Sequence, residues 1–466
     1  MKQEMGFSLM PVEYSKKLSE CESGVIAAKK NQRLLIVKAP ELSAKEEKFF
    51  CAVLEELKHT NKEIKTNADV FFLLKEFCLE NLILLGKEQR EKILKLLEWE
   101  TIGESILTPL LHDQSFEEIV INGPKKPIMV YHASFGWLAA NACFNSEEKI
   151  RTIINKMAAP LGRQLSYHVP LLNAVLKDGS RLNASMNPVA FSGINATIRK
   201  FKENPLTPAD IIKHGTIEKN AMAFLWLAMQ TSCSILICGN TGSGKTTTLN
   251  SLFCFLPKEE RIVVAEETPE LLLPQNHTIK LNTAEQVNVS LSTLVDNTFR
   301  MRPDRVIVGE IRNKEEATAF VNTMLAGQAK GSYATFHAES ATEALQRLVS
   351  FGIEERTLAA LDLIVVQKRI NLIEKGARKE ERKIVEICEV EKQENRVGAK
   401  KLFEYNFGEK KLEPRTCSER VMEKICRTFL CTKNEAKKML EEKEGLLEKI
   451  GSKARFGDFF DAAENM

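Results

Sequence analysis

The 466 residues contain no pair of cysteines at C-x-x-C spacing, and eleven cysteines is an odd number. A disulfide framework is therefore not the organising device, and reduced thiols in a cytosolic protein are the expectation. Cys388, Cys417, Cys426 and Cys431 invite a zinc reading, but their spacings match no standard finger. No signal peptide is recognisable. Charge of one sign is not in excess: a formal net charge of +3 gives no global field arguing for nucleic acid or anionic membrane, although local basic patches remain open. A basic stripe interleaved with aromatics is missing, so direct nucleic-acid contact is not expected, and no internal repeat occurs at solenoid periods. The one long uncharged run, Asn220 to Gly244, is broken by Gln230-Thr231-Ser232-Cys233-Ser234 into a buried helix and a buried strand, not a membrane span. Any membrane contact is expected to come through a partner.

What is present suggests roughly two to four domains. Residues 1–100 alternate Lys/Glu-rich stretches with helical apolar spacing, as in Phe49, Phe50, Val53, Leu54 and Leu57, or Ile93, Leu94, Leu96 and Leu97; they read as a helical segment. Residues 101–202 shift to short strands and turns around Ile119-Val120-Ile121, Ile128-Met129-Val130 and Lys177-Asp178-Gly179-Ser180, an α+β module. A linker, 203–215, carries Glu203-Asn204-Pro205-Leu206-Thr207-Pro208. Residues 216–375 alternate apolar strand runs with helical stretches, which predicts an α/β nucleotide-binding core. The remainder, 376–466, is Lys/Glu-dense and reads as largely helical, with an amphipathic helix over Ala436 to Ile450.

The core holds Gly239-Asn240-Thr241-Gly242-Ser243-Gly244-Lys245-Thr246, the phosphate-loop pattern G-x-x-x-x-G-K-[ST], directly after the apolar run Ser234 to Cys238. Its glycines let consecutive backbone N–H groups curl around a polyphosphate, and the following helix adds its positive dipole end. Lys245 is placed to reach the β- and γ-phosphates and Thr246 to put its hydroxyl on Mg²⁺, with Thr247 beginning the helix.

A phosphate loop only binds; hydrolysis needs a metal partner, a water activator and a γ-phosphate sensor. Three segments suit those roles. Arg261 to Glu270 is a β-branched strand ending in Glu266, Glu267 and Glu270, where like charges repel unless a cation or a water-positioning task compensates; the alternative is a solvated acidic turn. Pro303 to Glu310 is an apolar strand ending in an acid, and the carboxyl end of a core strand faces the ligand crevice of an open α/β sheet. Glu310 therefore suits the Mg²⁺-water shell. His337 ends another short strand, and the same argument applies.

These segments resemble the secretion ATPase family of type II and type IV secretion, type IV pili and the archaeal flagellum. Glu266 to Glu270 is similar to its acidic box, Met301-Arg302-Pro303-Asp304 through Arg312 to its Walker B segment, and Ala326 to His337 to its histidine box. Upstream, Pro170 to Ala174, Asp178 to Asn183 and Ile198 to Phe201 look like its PAS-like N-terminal domain. The resemblance implies a RecA-like P-loop NTPase domain behind that module, and a homohexamer with ATP and Mg²⁺ between the two domains of each subunit. It implies Glu270 as the water-activating base, Glu310 as the Walker B acid, His337 as a γ-phosphate sensor, and Arg181 and Arg199 reaching the phosphates. Arg300, Arg302 and Arg312 become candidates for subunit-interface roles; the bland reading of each arginine is a surface ion pair.

Three departures qualify the transfer. Ala326-Gly327-Gln328 stands where the family usually has Thr-Gly-His, the acidic box reads Glu-Glu for Glu-Asp, and the tetracysteine zinc module of bacterial type II ATPases is missing. That absence and the Thr335-Phe336-His337-Ala338 wording lean towards the archaeal branch. The expected function is a cytoplasmic motor, peripheral to the membrane, that works on a pilin-like or secreted substrate through a polytopic platform protein. The alternatives are a DNA-transfer or DNA-uptake ATPase and, because of Gln328, a nucleotide-gated scaffold with little turnover.

Overall fold

The computed structural model describes residues 6–29, 32–59, 63–201, 204–284, 287–327, 329–374, 377–393, 396–450 and 456–464. The chain divides into two compact units, Met1–Lys202 and Glu203–Met466.

The first unit contains β1 (Phe7–Leu9), β2 (Lys16–Cys21), β3 (Gly24–Lys29), β4 (Gln32–Val37), β5 (Phe116–Ile121), β6 (Met129–His132), β7 (Gly136–Ala140), β8 (Ala142–Phe144), β9 (Leu171–Val175), β10 (Arg181–Ser185) and β11 (Asn195–Arg199). Nine of them form one sheet in the order β2-β3-β4-β7-β6-β5-β11-β10-β9, and β1 pairs with β8. Helices Ala44–His59, Asn67–Glu80, Lys87–Thr101 and Glu147–Ala158 share a single apolar core with that sheet, joining Ile26, Leu35, Phe50 and Leu96 to Ile119, Ile150 and Ile198.

Residues 1–100 are therefore not helical throughout, and the α+β module does not begin at 101. The helical spacings at Phe49 to Leu57 and Ile93 to Leu97 do lie in helices. Before them, the short apolar runs in β3 and β4 are flanked by lysines and glutamates that obscure them in sequence. Cross-strand pairing and burial of Ile26, Ala27, Leu35 and Val37 decide the conformation there, not local composition.

The second unit contains β12 (Ile235–Gly239), β13 (Ile262–Glu266), β14 (Thr278–Asn282), β15 (Arg305–Ile311), β16 (Gly331–Phe336), β17 (Leu363–Glu374), β18 (Ala377–Gln393), β19 (Arg396–Asn406) and β20 (Lys411–Pro414). Their order is β14-β13-β15-β16-β12-β17-β18-β19-β20. The six strands from β14 to β17 are parallel, and β17 to β20 continue antiparallel. Along β12, Ile235 and Ile237 pack into the core on one face of the sheet, and Leu236 and Cys238 into the core on the other. A strand buried on both faces has no room for charge, which is why this run is uncharged.

The region 376–466 is corrected as well: its first part is strand. Ile384, Val385, Ile387, Cys388 and Val390 are buried in β18 among lysines and glutamates, and pairing with β17 overrides the charged composition. Helices follow at Arg420–Phe429, Lys433–Ile450 and Phe456–Glu464. They are fastened to the core where Asp362 Oδ1 meets Arg420 Nε at 2.8 Å and Lys424 Nζ at 2.7 Å. Phe255, stacked on Trp226 with ring centroids 4.5 Å apart, also meets Phe459 of the last helix. Among the described residues no helix is long and apolar enough to cross a membrane.

Candidate functional site

The loop after β12 is built from glycines that nothing else can replace. Gly239, Gly242 and Gly244 hold φ of +155°, +72° and +98°, values L side chains rarely adopt. A Cβ on Gly239 would lie 2.0 Å from the Gln367 carbonyl oxygen, and one on Gly244 3.0 Å from Gln367 Nε2. The helix Lys245–Leu252 starts directly behind the loop. Lys245, 8% exposed, donates from Nζ to the Gly239 and Asn240 carbonyls at 3.1 and 3.3 Å. Ser243 Oγ is buried in the loop without a hydrogen-bond partner among the described residues. Thr246 and Thr247 are half-buried in the first helical turn, whereas Asn240 and Thr241 are exposed.

Beside this loop, neighbouring strands end in the other candidate groups. On β13, Glu266 is 3% exposed, and Oε1 accepts the Glu270 N–H at 3.0 Å and the Leu271 N–H at 3.3 Å. Its Oε2 is buried without a partner among the described residues, and burial pushes the carboxyl up to about 7. Gly309 on the adjacent strand makes room, since a Cβ there would stand 2.9 Å from Glu266 Cγ. Thus Glu266 braces the turn that carries Glu270.

On β15, the register with β16 slips between Val308 and Ile311. Such a bulge re-aims a side chain; Thr335 Oγ1 satisfies the Gly309 carbonyl at 2.6 Å. Glu310, at the bulge, meets His337 Nε2 at 2.9 Å and Arg312 Nε at 2.6 Å. Burial alone would raise the Glu310 carboxyl, but Arg312, His337 and Lys245 together hold it below the ordinary range. Burial, then the Lys245 charge, pushes His337 down, so its imidazole is neutral at pH 7. Arg312 also pairs with Glu267, so this arginine is engaged by two acids of its own chain.

Arg300 and Arg302 precede β15, and Glu310 is its next-to-last residue. From Arg305 to Glu310 the strand covers about 16 Å at ~3.3 Å per residue. Arg302 holds φ of +49°. In the first unit, Arg181 and Arg199 are directly opposite each other across β10 and β11. Gln328 lies outside the described residues, as does Glu203. Cys388, Cys417, Cys426 and Cys431 do not gather: among the described residues no group of three or more His, Cys, Asp or Glu could hold a metal ion.

Three residues next to the loop were not anticipated. Gln367 accepts from Thr248 Oγ1 at 2.7 Å, the Arg369 N–H donates to Asn240 Oδ1 at 3.3 Å, and Arg382 Nε donates to the Gly242 carbonyl at 3.0 Å. Arg369 and Arg382 face each other across β17 and β18, with Glu380 3.8 and 3.7 Å away. The sequence signal for them is weak: Gln367 and Arg369 follow the apolar run Leu363 to Val366, but the strand continues past them to Glu374.

In sheet order, β13 ends in Glu266, Glu310 is next to last in β15, His337 follows β16, the phosphate loop follows β12, and Gln367 within β17 lies opposite Gly239 at the end of β12. A parallel sheet with this loop on an interior strand, flanked by acids and a histidine at the same edge, is a phosphate-loop protein. More narrowly, the chain belongs to the family described as type II/IV secretion system protein, whose model matches residues 100–449. It is 40% identical over 222 residues to the uncharacterized protein MJ0781 of Methanocaldococcus jannaschii, covering 45% of this chain and 31% of that protein. It is 34% identical over 317 residues to MJ0900 of the same organism, covering 67% and 56%. A Mycobacterium tuberculosis relative, whose name assigns it provisionally to conjugal transfer, is 28% identical over 334 residues, covering 68% and 92%. The chain thus spans about a third and about half of the two archaeal relatives.

Proposed function

We propose that this chain is a hexameric ATPase motor that drives pilus-like filament assembly or protein secretion through a polytopic platform protein at the cytoplasmic membrane. The carrying observation is the convergence of the phosphate loop, Glu310, His337 and the Glu266-braced acidic turn on one edge of the sheet. In this reading the loop N–H groups and Lys245 bind the β- and γ-phosphates, Lys245 leaving its loop carbonyls to do so. Glu270 takes the proton of the attacking water, while Glu266 fixes its backbone and Glu267 holds Arg312. Neutral His337 reports on the terminal phosphate, and Glu310 orients it.

The hard-oxygen donor set of Thr246 and Glu310 fits Mg²⁺, which these two residues would hold. Bound there, it would neutralise charge developing on the phosphates. In the same reading the first unit is PAS-like and its Arg181 and Arg199, paired across β10 and β11, are phosphate-binding residues. Arg300 and Arg302 serve a neighbouring subunit. The archaeal relatives support the archaeal branch, and the RecA-like reading of the second unit rests on its strand order.

Phosphate release by the purified chain tests this: Lys245→Ala should lower it ~100-fold or more, and undiminished release would overturn the assignment. The conjugal-transfer name of one relative favours a second reading, a DNA-transfer ATPase. Stimulation of hydrolysis by DNA, with the steep salt dependence of phosphate contacts, would select it. A wild-type hexamer that binds ATP but scarcely turns it over would instead be a nucleotide-gated scaffold.

A further inference from the structure

The helix Pro208–Lys213 begins at a Thr207–Asp210 capping box and ends at His214. Gly215 then turns the chain with φ of +66°, and the Gly215 and Thr216 N–H groups close back on Ile212 and Ile211 at 2.8 and 3.0 Å. This is a glycine-terminated helix end that leaves the next two carbonyls facing outward. Both are taken by β18. Lys383 Nζ donates to the Gly215 carbonyl at 2.7 Å, and the Ile384 N–H donates to the Thr216 carbonyl at 2.8 Å. The Lys383 side chain is 12% exposed and also pairs with Glu381 at 3.0 Å. A Cβ at residue 215 would stand 3.2 Å from Nζ, so a side chain there would crowd the lysine as well as strain the turn.

The residue before Lys383 is Arg382, whose Nε holds the Gly242 carbonyl of the phosphate loop. Successive side chains of a strand point to opposite faces. The Arg382 side chain therefore meets the phosphate loop on one face, while Lys383 on the other face and the backbone N–H of Ile384 hold the segment 215–216. The strand is stiffened here by its ladder to β17, and a bulge between Gln367 and Val366 re-aims its side chains.

We infer that Lys383 is a positioning residue that ties the segment leading into the second unit to the strand that touches the phosphate loop. Resting on the nucleotide-site reading above, this makes the tether the route by which nucleotide state reaches residues 211–216. Lys383 touches no phosphate. Its loss separates binding from transmission.

The test is amide hydrogen exchange on the full chain with and without a non-hydrolysable ATP analogue, alongside analogue affinity and ATP turnover. In the wild type, analogue binding slows exchange at 239–247 and also at 211–216. Lys383→Met keeps affinity within about threefold and keeps protection at 239–247, but loses the response at 211–216 and lowers turnover about fivefold or more. Lys383→Arg, which retains a donor of similar reach, restores both. If Lys383→Met fails to fold, Glu381→Gln, which removes the partner acid and leaves the backbone alone, carries the same comparison with a smaller loss. Protection at 239–247 without any at 211–216 in the wild type, or an unchanged response in the variant, overturns the tether alone. No analogue protection at 239–247 in the wild type overturns the nucleotide-site reading and the tether with it.

Discussion

Glu266 is a carboxyl whose protonated form the fold favours. Its pKa is raised from 4.5 to about 7 by burial, so the native state holds the proton more tightly than the unfolded chain. The stability this supplies is fully present below pH about 4.5 and is lost as pH rises through about 7, up to roughly 3 kcal/mol over that window. Glu266→Gln is permanently neutral and keeps it. Melting curves without nucleotide should show the wild type losing stability between pH 5 and 8 relative to Glu266→Gln; parallel curves would exclude a buried titrating carboxyl. Glu310 is the opposite case, an acid held ionised beside Arg312 and His337. Glu310→Gln should leave ATP affinity within a few-fold while lowering turnover ~100-fold, because a lost charge at the reacting phosphate costs the transition state more than the ground state. Equal losses in affinity and turnover would make it a binding residue instead.

At the scale of elements, the site depends on β17 as much as on β12. Gln367 buttresses the phosphate loop from below through Thr248, with its backbone packed against Gly239. Gln367→Ala leaves the buried Thr248 hydroxyl without its partner and should cost about 1–3 kcal/mol, read as a lowered denaturant midpoint and partly recovered by saturating ATP. Recovery to the wild-type midpoint without ligand would mean the brace is dispensable. The loop itself, Glu310 and His337 were legible because glycine spacing and strand-end position are local in the chain. Gln367, Arg369 and Arg382 were not read, since their proximity to the loop comes from neighbouring strands more than a hundred residues away. The strands β3, β4, β18 and β19 were missed for a related reason: their charged flanks dominate composition, while pairing and burial fix the backbone. The bulge that aims Glu310 leaves no sequence signature beyond Gly309.

For the whole molecule, Arg300 and Arg302 lie before the end of β15 that is far from Glu310, the placement that the proposed hexamer needs for arginines acting on a neighbouring subunit. Light scattering should accordingly find a hexamer, or ATP-dependent assembly into one. A monomer that retains full activity at every concentration would remove these arginines from the mechanism. The nine-stranded sheet of the second unit has a practical corollary for anyone trimming the chain. Ending an expression fragment near residue 375 would cut the sheet between β17 and β18, baring the backbone edge of Leu363 to Val366, all fully buried in the intact protein. An apolar strand with an open edge templates pairing with other chains. Such a fragment should precipitate with its phosphate loop intact in sequence and useless in practice, whereas one running through the helix that ends at Ile450 should remain dispersed.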